Sequence, residues 1–250
     1  MTRAAFRIRV FPTIHALAES AARTLRRRAF AAVTARGRFT LALSGGQTPE
    51  ALFRTLGDAG PRALPYDRLE IFWSDERAVR PEHRDSNYRL AWERWLSRVP
   101  VPARRVHRIR GEVRPPAREA ARYERLLRRR LGTSPRLDLI LLGVGRDGHV
   151  GSLFPRASAL RSERLVQATV APASPRRRVT MTLPLIKSAR AVLILAVGAE
   201  KAASLARALL HPPSETIPAS LLRGGRVTWF LDDAAAARLP RYARSVSSIP

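Results

Sequence analysis

Two aliphatic segments constrain this chain more than any other feature. Leu137 to Leu142, interrupted only by Asp138, and Ala191 to Val197 show no alternation of polar and apolar residues, which is the pattern of strands buried on both faces of a parallel sheet. Such strands need helices on both sides, and parallel neighbours need crossover connections between them. The rest of the chain supplies these in alternation. Phe6 to Phe11 alternates like a strand, and Ile14 to Val33 places apolar residues at helical spacing among many alanines. Phe39 to Leu43 predicts a second strand, and after the turn from Ser44 to Thr48, Pro49 suits the first turn of a helix over Glu50 to Leu56. Leu69 to Trp73 follows as a strand, Ser86 to Leu96 as a helix, Arg105 to Ile109 as a strand and Arg118 to Leu131 as a basic helix. Beyond the second aliphatic run, Lys201 to Leu210 predicts a helix and Arg226 to Leu231 a last strand. Asp232 and Asp233 stand where they would cap an alanine-rich helix.

The expected fold class is therefore α/β, a three-layer α/β/α arrangement around a mainly parallel, Rossmann-like sheet. One domain over 1–250 is expected, because the proline-bearing stretch Arg98 to Pro116 is short and contains a strand. No internal repeat or low-complexity linker divides the chain.

Composition removes several functional classes. There is no cysteine, so disulfide scaffolds, thiolate metal sites and cysteine nucleophiles are excluded. The longest apolar run, Ala191 to Ala199, has nine residues, against the roughly 20 needed to cross a bilayer. The N-terminal segment carries Arg3, Arg7 and Arg9 but is broken by Pro12, His15 and Glu19 and lacks a secretory core. A cytoplasmic protein without membrane partners is expected. With 46 basic and 20 acidic residues, the formal charge is +26, which raises the question of nucleic acid. Only Lys187 and Lys201 are lysine, the arginines are spread along the chain, and aromatic residues make up 6%. Clusters such as Arg26 to Arg28, Arg128 to Arg130 and Arg176 to Arg178 could meet phosphate, though most charge runs are solvated faces, and no specific nucleic acid is expected.

In a parallel sheet of this kind ligands bind beyond the carboxyl ends of the strands, so the loops there carry the chemistry. The first, Ser44-Gly45-Gly46-Gln47-Thr48-Pro49, leads a strand into a helix N-terminus. Free N–H groups and the helix dipole favour an anion there, and glycine lets it approach; an ordinary tight turn is the alternative. It matches neither a Walker loop nor a dinucleotide fingerprint. The second, Ser74-Asp75-Glu76-Arg77, followed by Asp85-Ser86-Asn87, combines carboxylates and a guanidinium, which suits a phosphorylated polyol; Asp85 and Ser86 read equally well as helix caps. The third, Gly143 to Pro155, ends a buried strand in glycines that present Asp147 and His149. An imidazole exchanges protons near neutral pH, which makes His149 the best general base in the chain, and glycine N–H groups near Gly145 offer donors to an oxyanion. His15, His83, His107 and His211 lack such surroundings.

These motifs, together with Arg178-Val179-Thr180 and Gly198 to Lys201, occur in the order found in the 6-phosphogluconolactonases, which the chain resembles over nearly its whole length; the glucosamine-6-phosphate deaminases are relatives of that family. The family usually continues after its histidine with Thr-Ala-Ser-Leu-Phe-Pro-Gly, whereas this chain has Val150-Gly151 and later Arg156. The deaminases carry an acidic residue five positions beyond the histidine, where this chain has Phe154. The resemblance implies hydrolysis of 6-phosphoglucono-δ-lactone without a metal or other cofactor, with His149 as base and Asp147 orienting it. It implies that Ser44, Gly45, Gly46, Thr48 and Arg77 hold the phosphate, with Arg178 and Lys201 as further cations, and that Asp75, Asn87 and Gly145 also meet the substrate. A deaminase-type isomerase or a sugar-phosphate sensor is the alternative. A phosphorylated sugar lactone is the expected partner of a monomer or weak homodimer.

Overall fold

A computed structural model describes residues 7–240. In chain order its elements are β1 (Arg7–Phe11), α1 (Ile14–Arg36), β2 (Phe39–Leu43), α2 (Gln47–Asp58), β3 (Leu69–Trp73), β4 (Asp75–Arg77), α3 (Asn87–Arg94), β5 (Val106–His107) and α4 (Pro116–Leu131). They continue with β6 (Leu139–Gly143), β7 (Val166–Val170), β8 (Arg177–Met181), α5 (Leu183–Ser188), β9 (Val192–Ala196), α6 (Ala202–Leu210) and β10 (Val227–Asp232). Phe6, expected to open the first strand, lies outside the described residues.

Seven strands form one parallel sheet in the order β1-β10-β9-β6-β2-β3-β5. The aliphatic runs occupy its centre: Leu139 to Leu142 and Val192 to Ala196 are buried, each apolar side chain contributing about 1.5–3 kcal/mol. Asp138, the interruption in the first run, is buried at its entrance. It accepts from the Thr40 N–H and hydroxyl at 2.9 Å and from Arg36 at 2.7 Å, which satisfies a carboxylate that burial would otherwise penalise. From the central pair β2 and β6, the sheet grows outward through β3 on one side and β9 on the other. The loops leaving β2 and β6 therefore diverge and open a crevice between them, the topological switch point of such sheets.

The longest helix, α1, runs three residues past the expected end. Thr13 accepts from Ala16 N at its start, and Gly37, at φ 71°, closes it by donating to the Val33 carbonyl. Two expectations fail locally. The strand expected over Arg105 to Ile109 pairs only at Val106 and His107. No helix follows Asp232-Asp233: residues 233–239 form turns, in which Asp232 accepts from Ala235 N at 2.8 Å and also from Gly198 N at 3.0 Å. The Asp232 carboxylate thus caps a turn and ties it to the loop after β9.

A second sheet, antiparallel and three-stranded in the order β4-β8-β7, was not anticipated, and nor was α5. Its register sets Asp75 opposite Thr180 and Arg77 opposite Arg178. The segment expected as a loop after β3 is thereby a strand held against β8, about a hundred residues further along the chain.

Candidate active site

The crevice between the β2 and β6 loops contains a cavity of about 160 Å³. Ser44, Gly45, Gly46, Thr48, Asp75, Arg77, Asn87, Gly145, His149 and Lys201 all line it. Of the expected site residues, Asp147 and Arg178 do not; they stand directly behind the lining.

On the β2 side, Gly46 at φ 111° is the N-cap of α2 and no side chain caps the helix. The first-turn N–H groups at Gln47 and Thr48 therefore lie beside the cavity without a competing cap, which is the arrangement that receives an anion. Gly45 is required for a different reason. A Cβ there would sit 1.8 Å from Asn87 Oδ1, so any side chain would expel the asparagine. Asn87 donates through Nδ2 to the Asp75 carbonyl at 2.9 Å, while its buried Oδ1 has no hydrogen-bond partner.

On the β4 side the groups are charged and dry. Glu76 is buried and accepts at 2.8 Å from the N–H groups of Arg77, Asn87 and Tyr88 and at 3.1 Å from Ser86 Oγ, so it caps α3 from outside the helix. Burial pushes its carboxyl up to about 7, against the pull of those donors. Asp75 Oδ2 accepts from Ser152 Oγ at 2.7 Å; its Oδ1 has only long contacts, with Ser74 at 3.3 Å, Asn87 at 3.4 Å and Ser44 at 3.5 Å. Arg77 donates to the Asp85 carbonyl. Arg178 is 9% exposed and its Nη1 has no partner. Burial and the neighbouring Arg77 lower its pKa. Across the cavity, burial likewise lowers that of Lys201, which precedes α6 on a short 3-10 turn.

On the β6 side, His149 Nδ1 lies 2.6 Å from Asp147 Oδ1, which also accepts from His149 N at 3.1 Å. Partial burial opposes ionisation of Asp147, but the hydrogen bond and charge of His149 outweigh it and hold the carboxyl below its usual range. The Phe154 ring packs on the imidazole at 4.7 Å. Gly145 makes this pair possible: a Cβ would fall 2.1 Å from His149 Nδ1 and 2.7 Å from Asp147 Oδ1. Its N–H, however, donates to the His149 carbonyl at 2.9 Å. That N–H closes the loop, so the oxyanion donors expected near Gly145 do not include it.

Two of the three departures in this loop, Val150 and Arg156, have distinct consequences. Val150 is buried and bridges Val144 and Leu153, so it serves as packing. Arg156 sits at φ 60°, a left-handed conformation that glycine adopts without cost and arginine does not. Sequence reasoning held Ser152 and Thr180 only inside longer motifs and gave neither a role. Both are buried, and Ser152 N donates to Thr180 Oγ1 at 3.2 Å. The only local signal was a run of small residues after the histidine. Among the described residues, no group of three or more metal-ligating side chains converges, and no helix is long and apolar enough to cross a membrane.

A doubly wound α/β fold with an uncapped helix N-terminus, two arginines, a lysine and a histidine–aspartate pair around one small cavity defines a protein built to act on a small phosphorylated ligand. Residues 12–229 match the model of the glucosamine-6-phosphate isomerases/6-phosphogluconolactonase family, and the chain belongs to that family. It is similar to the 6-phosphogluconolactonase of Nostoc sp., 39% identical over 216 residues that cover 83% of this chain and 88% of the relative. The 6-phosphogluconolactonase of Homo sapiens is 39% identical over 244 residues, covering 93% of each. The solved structure of the 6-phosphogluconolactonase from Trypanosoma brucei superposes with a TM-score of 0.81 at 28% identity, covering 94% of this chain and 99% of that one.

Proposed function

We propose that this chain hydrolyses 6-phospho-D-glucono-1,5-lactone to 6-phospho-D-gluconate, a step of the oxidative pentose phosphate pathway. The observation that carries the reading is the placement of His149, backed by Asp147, on one wall of a cavity whose other walls hold the α2 N-terminus, Arg77 and Lys201. The phosphate occupies the α2 N-terminus beside Thr48, Arg77 and Lys201, with Arg178 behind. Asp75 and Asn87 offer acceptor oxygens to the sugar hydroxyls.

The lactone is an activated ester, so water suffices as nucleophile. Asp147 accepts from Nδ1–H of His149, leaving Nε2 to take a proton from water as the oxygen adds to the carbonyl carbon. Negative charge then develops on the carbonyl oxygen within a positively lined cavity, where it is stabilised more strongly than in bulk water. Collapse of the tetrahedral intermediate breaks the bond to the ring oxygen, which recovers the proton from His149. The phenyl ring of Phe154, where the deaminases carry an acid, leaves the histidine with one carboxylate partner and favours hydrolysis over amine chemistry.

The reaction belongs in the cytoplasm, with the chain acting as a monomer or weak homodimer. The test is the rate of 6-phosphogluconolactone hydrolysis above its spontaneous background, with glucosamine 6-phosphate deamination and a chelator as parallel arms. Hydrolysis undiminished by chelator is expected. Phosphosugar binding without acceleration of either reaction would replace the enzyme reading with that of a sensor.

A further inference from the structure

Arg178 presents an electrostatic puzzle. The residue is nine-tenths buried, and the carboxylates of Asp75, Glu76 and Asp85 all act on its guanidinium, yet its buried Nη1 has no hydrogen-bond partner. A buried cation beside available carboxylates ordinarily pairs with one of them. The register of the small sheet sharpens the question. Asp75 and Arg77 share one face of β4, and Arg178 and Thr180 lie directly opposite them on β8. Asp75 and Arg178 are thus diagonal neighbours, within reach for a side chain as long as arginine.

The carboxylates are already engaged. Glu76 is held by three backbone N–H groups and Ser86 at the start of α3. Asp75 is held on the opposite side by Ser152, whose 2.7 Å bond is the one short contact its carboxylate makes; the three contacts to Oδ1 are 3.3 Å or longer. Ser152 is itself anchored through its N–H to Thr180 Oγ1.

We propose that Ser152 is a positioning residue whose hydroxyl holds the Asp75 carboxylate away from Arg178, keeping that guanidinium unpaired and available to a phosphate dianion. The proposal rests on the phosphosugar reading above and adds the device that keeps its anion subsite charged. If the Ser152 hydroxyl is removed, Asp75 Oδ2 is left buried without a partner. The carboxylate then turns to Arg178, its diagonal neighbour across β4 and β8, and neutralises it. Ser152 also spans the two sheets, because it follows the histidine loop of β6 and bonds into β4 and β8. The phosphate subsite is in this way tied to the loop that carries the base.

The probe is inorganic phosphate, titrated calorimetrically into the wild-type chain, Ser152→Ala and the double variant Ser152→Ala/Asp75→Asn. Hydrolysis of the phosphorylated lactone and of unphosphorylated glucono-δ-lactone is followed in parallel. Loss of one charge-assisted contact predicts phosphate binding weakened about 10- to 100-fold in Ser152→Ala. KM for the phosphorylated lactone rises by a similar factor with kcat little changed, and the unphosphorylated lactone, which loses only the Asp75 hydroxyl contact, is affected less. Adding Asp75→Asn removes the competing charge and returns phosphate affinity to within about threefold of wild type. A general loosening of the site would not be reversed by that second change.

Should Ser152→Ala fail to fold, Thr180→Val removes the anchor of Ser152 at constant volume and is expected to weaken phosphate binding in the same direction by a smaller factor. Wild-type affinity in the folded single variant, no recovery in the double variant, or equal losses on both lactones would each overturn the proposal. A wild-type chain that binds phosphate but hydrolyses neither lactone would instead sink the lactonase reading and leave this one standing.

Discussion

On the β6 side of the cavity, His149 and Asp147 keep 31% and 39% of their side chains exposed, whereas on the β4 side Asp75, Glu76, Asn87 and Arg178 are all buried. The difference suits the roles proposed for the two sides. A base that draws a proton from water and returns it to a leaving oxygen needs solvent at hand. Groups that recognise charge gain strength as water is removed, since the same charges interact more strongly at lower dielectric. The exposed pair is set within one loop, which Ala219 N ties to the segment before β10 by donating to the Gly148 carbonyl at 2.9 Å. The buried side is held by a network that joins β4, α3, β8 and the histidine loop.

The comparison breaks most visibly at His149. Replacement by Ala is expected to lower kcat by about 10²- to 10⁴-fold while leaving thermal stability nearly unchanged. Near-normal kcat in a folded variant would remove His149 from the role of base.

Glu76 should show the opposite behaviour. Its removal leaves the first N–H groups of α3 without their acceptor and is expected to destabilise the fold by about 3 kcal/mol, read from urea denaturation. The residue also makes a signed pH prediction. Because its carboxyl is raised to about 7 from the ordinary 4.5, the folded state retains a proton that the unfolded chain has released between those values. Its contribution to stability therefore falls as pH rises through that window. A wild-type denaturation midpoint with the same pH slope as Glu76→Ala would contradict this.

A smaller effect separates the phosphate wall from the base. Arg77→Gln is expected to lower kcat/KM for the phosphorylated lactone by about 10- to 150-fold. Its effect on the unphosphorylated lactone should be slight, and equal losses on both would show that Arg77 does not read phosphate. The smallest effect is expected at Arg156, which is exposed at φ 60°. Replacement by Gly relieves left-handed backbone strain and is expected to stabilise the protein by about 0.5–1 kcal/mol without changing kcat. A lower melting temperature would mean that the arginine side chain contributes more than its backbone costs.

Much of the frame was readable from local pattern. The limits of β2 and β3 were read residue for residue, and the aliphatic runs located β6 and β9 to within two residues at each end. The glycines at 45, 46 and 145 marked the loops that line the cavity. Pattern failed where neighbours in space are distant in sequence. The five-residue alternation Val166-Gln167-Ala168-Thr169-Val170 was passed over, and β8 has no run or alternation to declare it a strand. Only their pairing with each other and with β4 makes them a sheet. The expected helix after Asp232 failed for a related reason, because that carboxylate is shared between Ala235 N and Gly198 N, and the chain there turns.

What the sequence by itself determined is the class of fold, the edge of the sheet at which ligands bind, and the side-chain types available there, since these follow from periodicity, glycine placement and strand-to-helix order. What only the tertiary structure decided is which of those side chains are satisfied and which are left open. Ser152 reaches Asp75 across 77 positions of chain, Glu76 spends its oxygens on α3, Gly145 spends its N–H on the histidine loop, and Arg178 keeps an unpaired donor. Burial and hydrogen-bond partnership are relations between residues brought together by packing, and no local pattern in the chain encodes them.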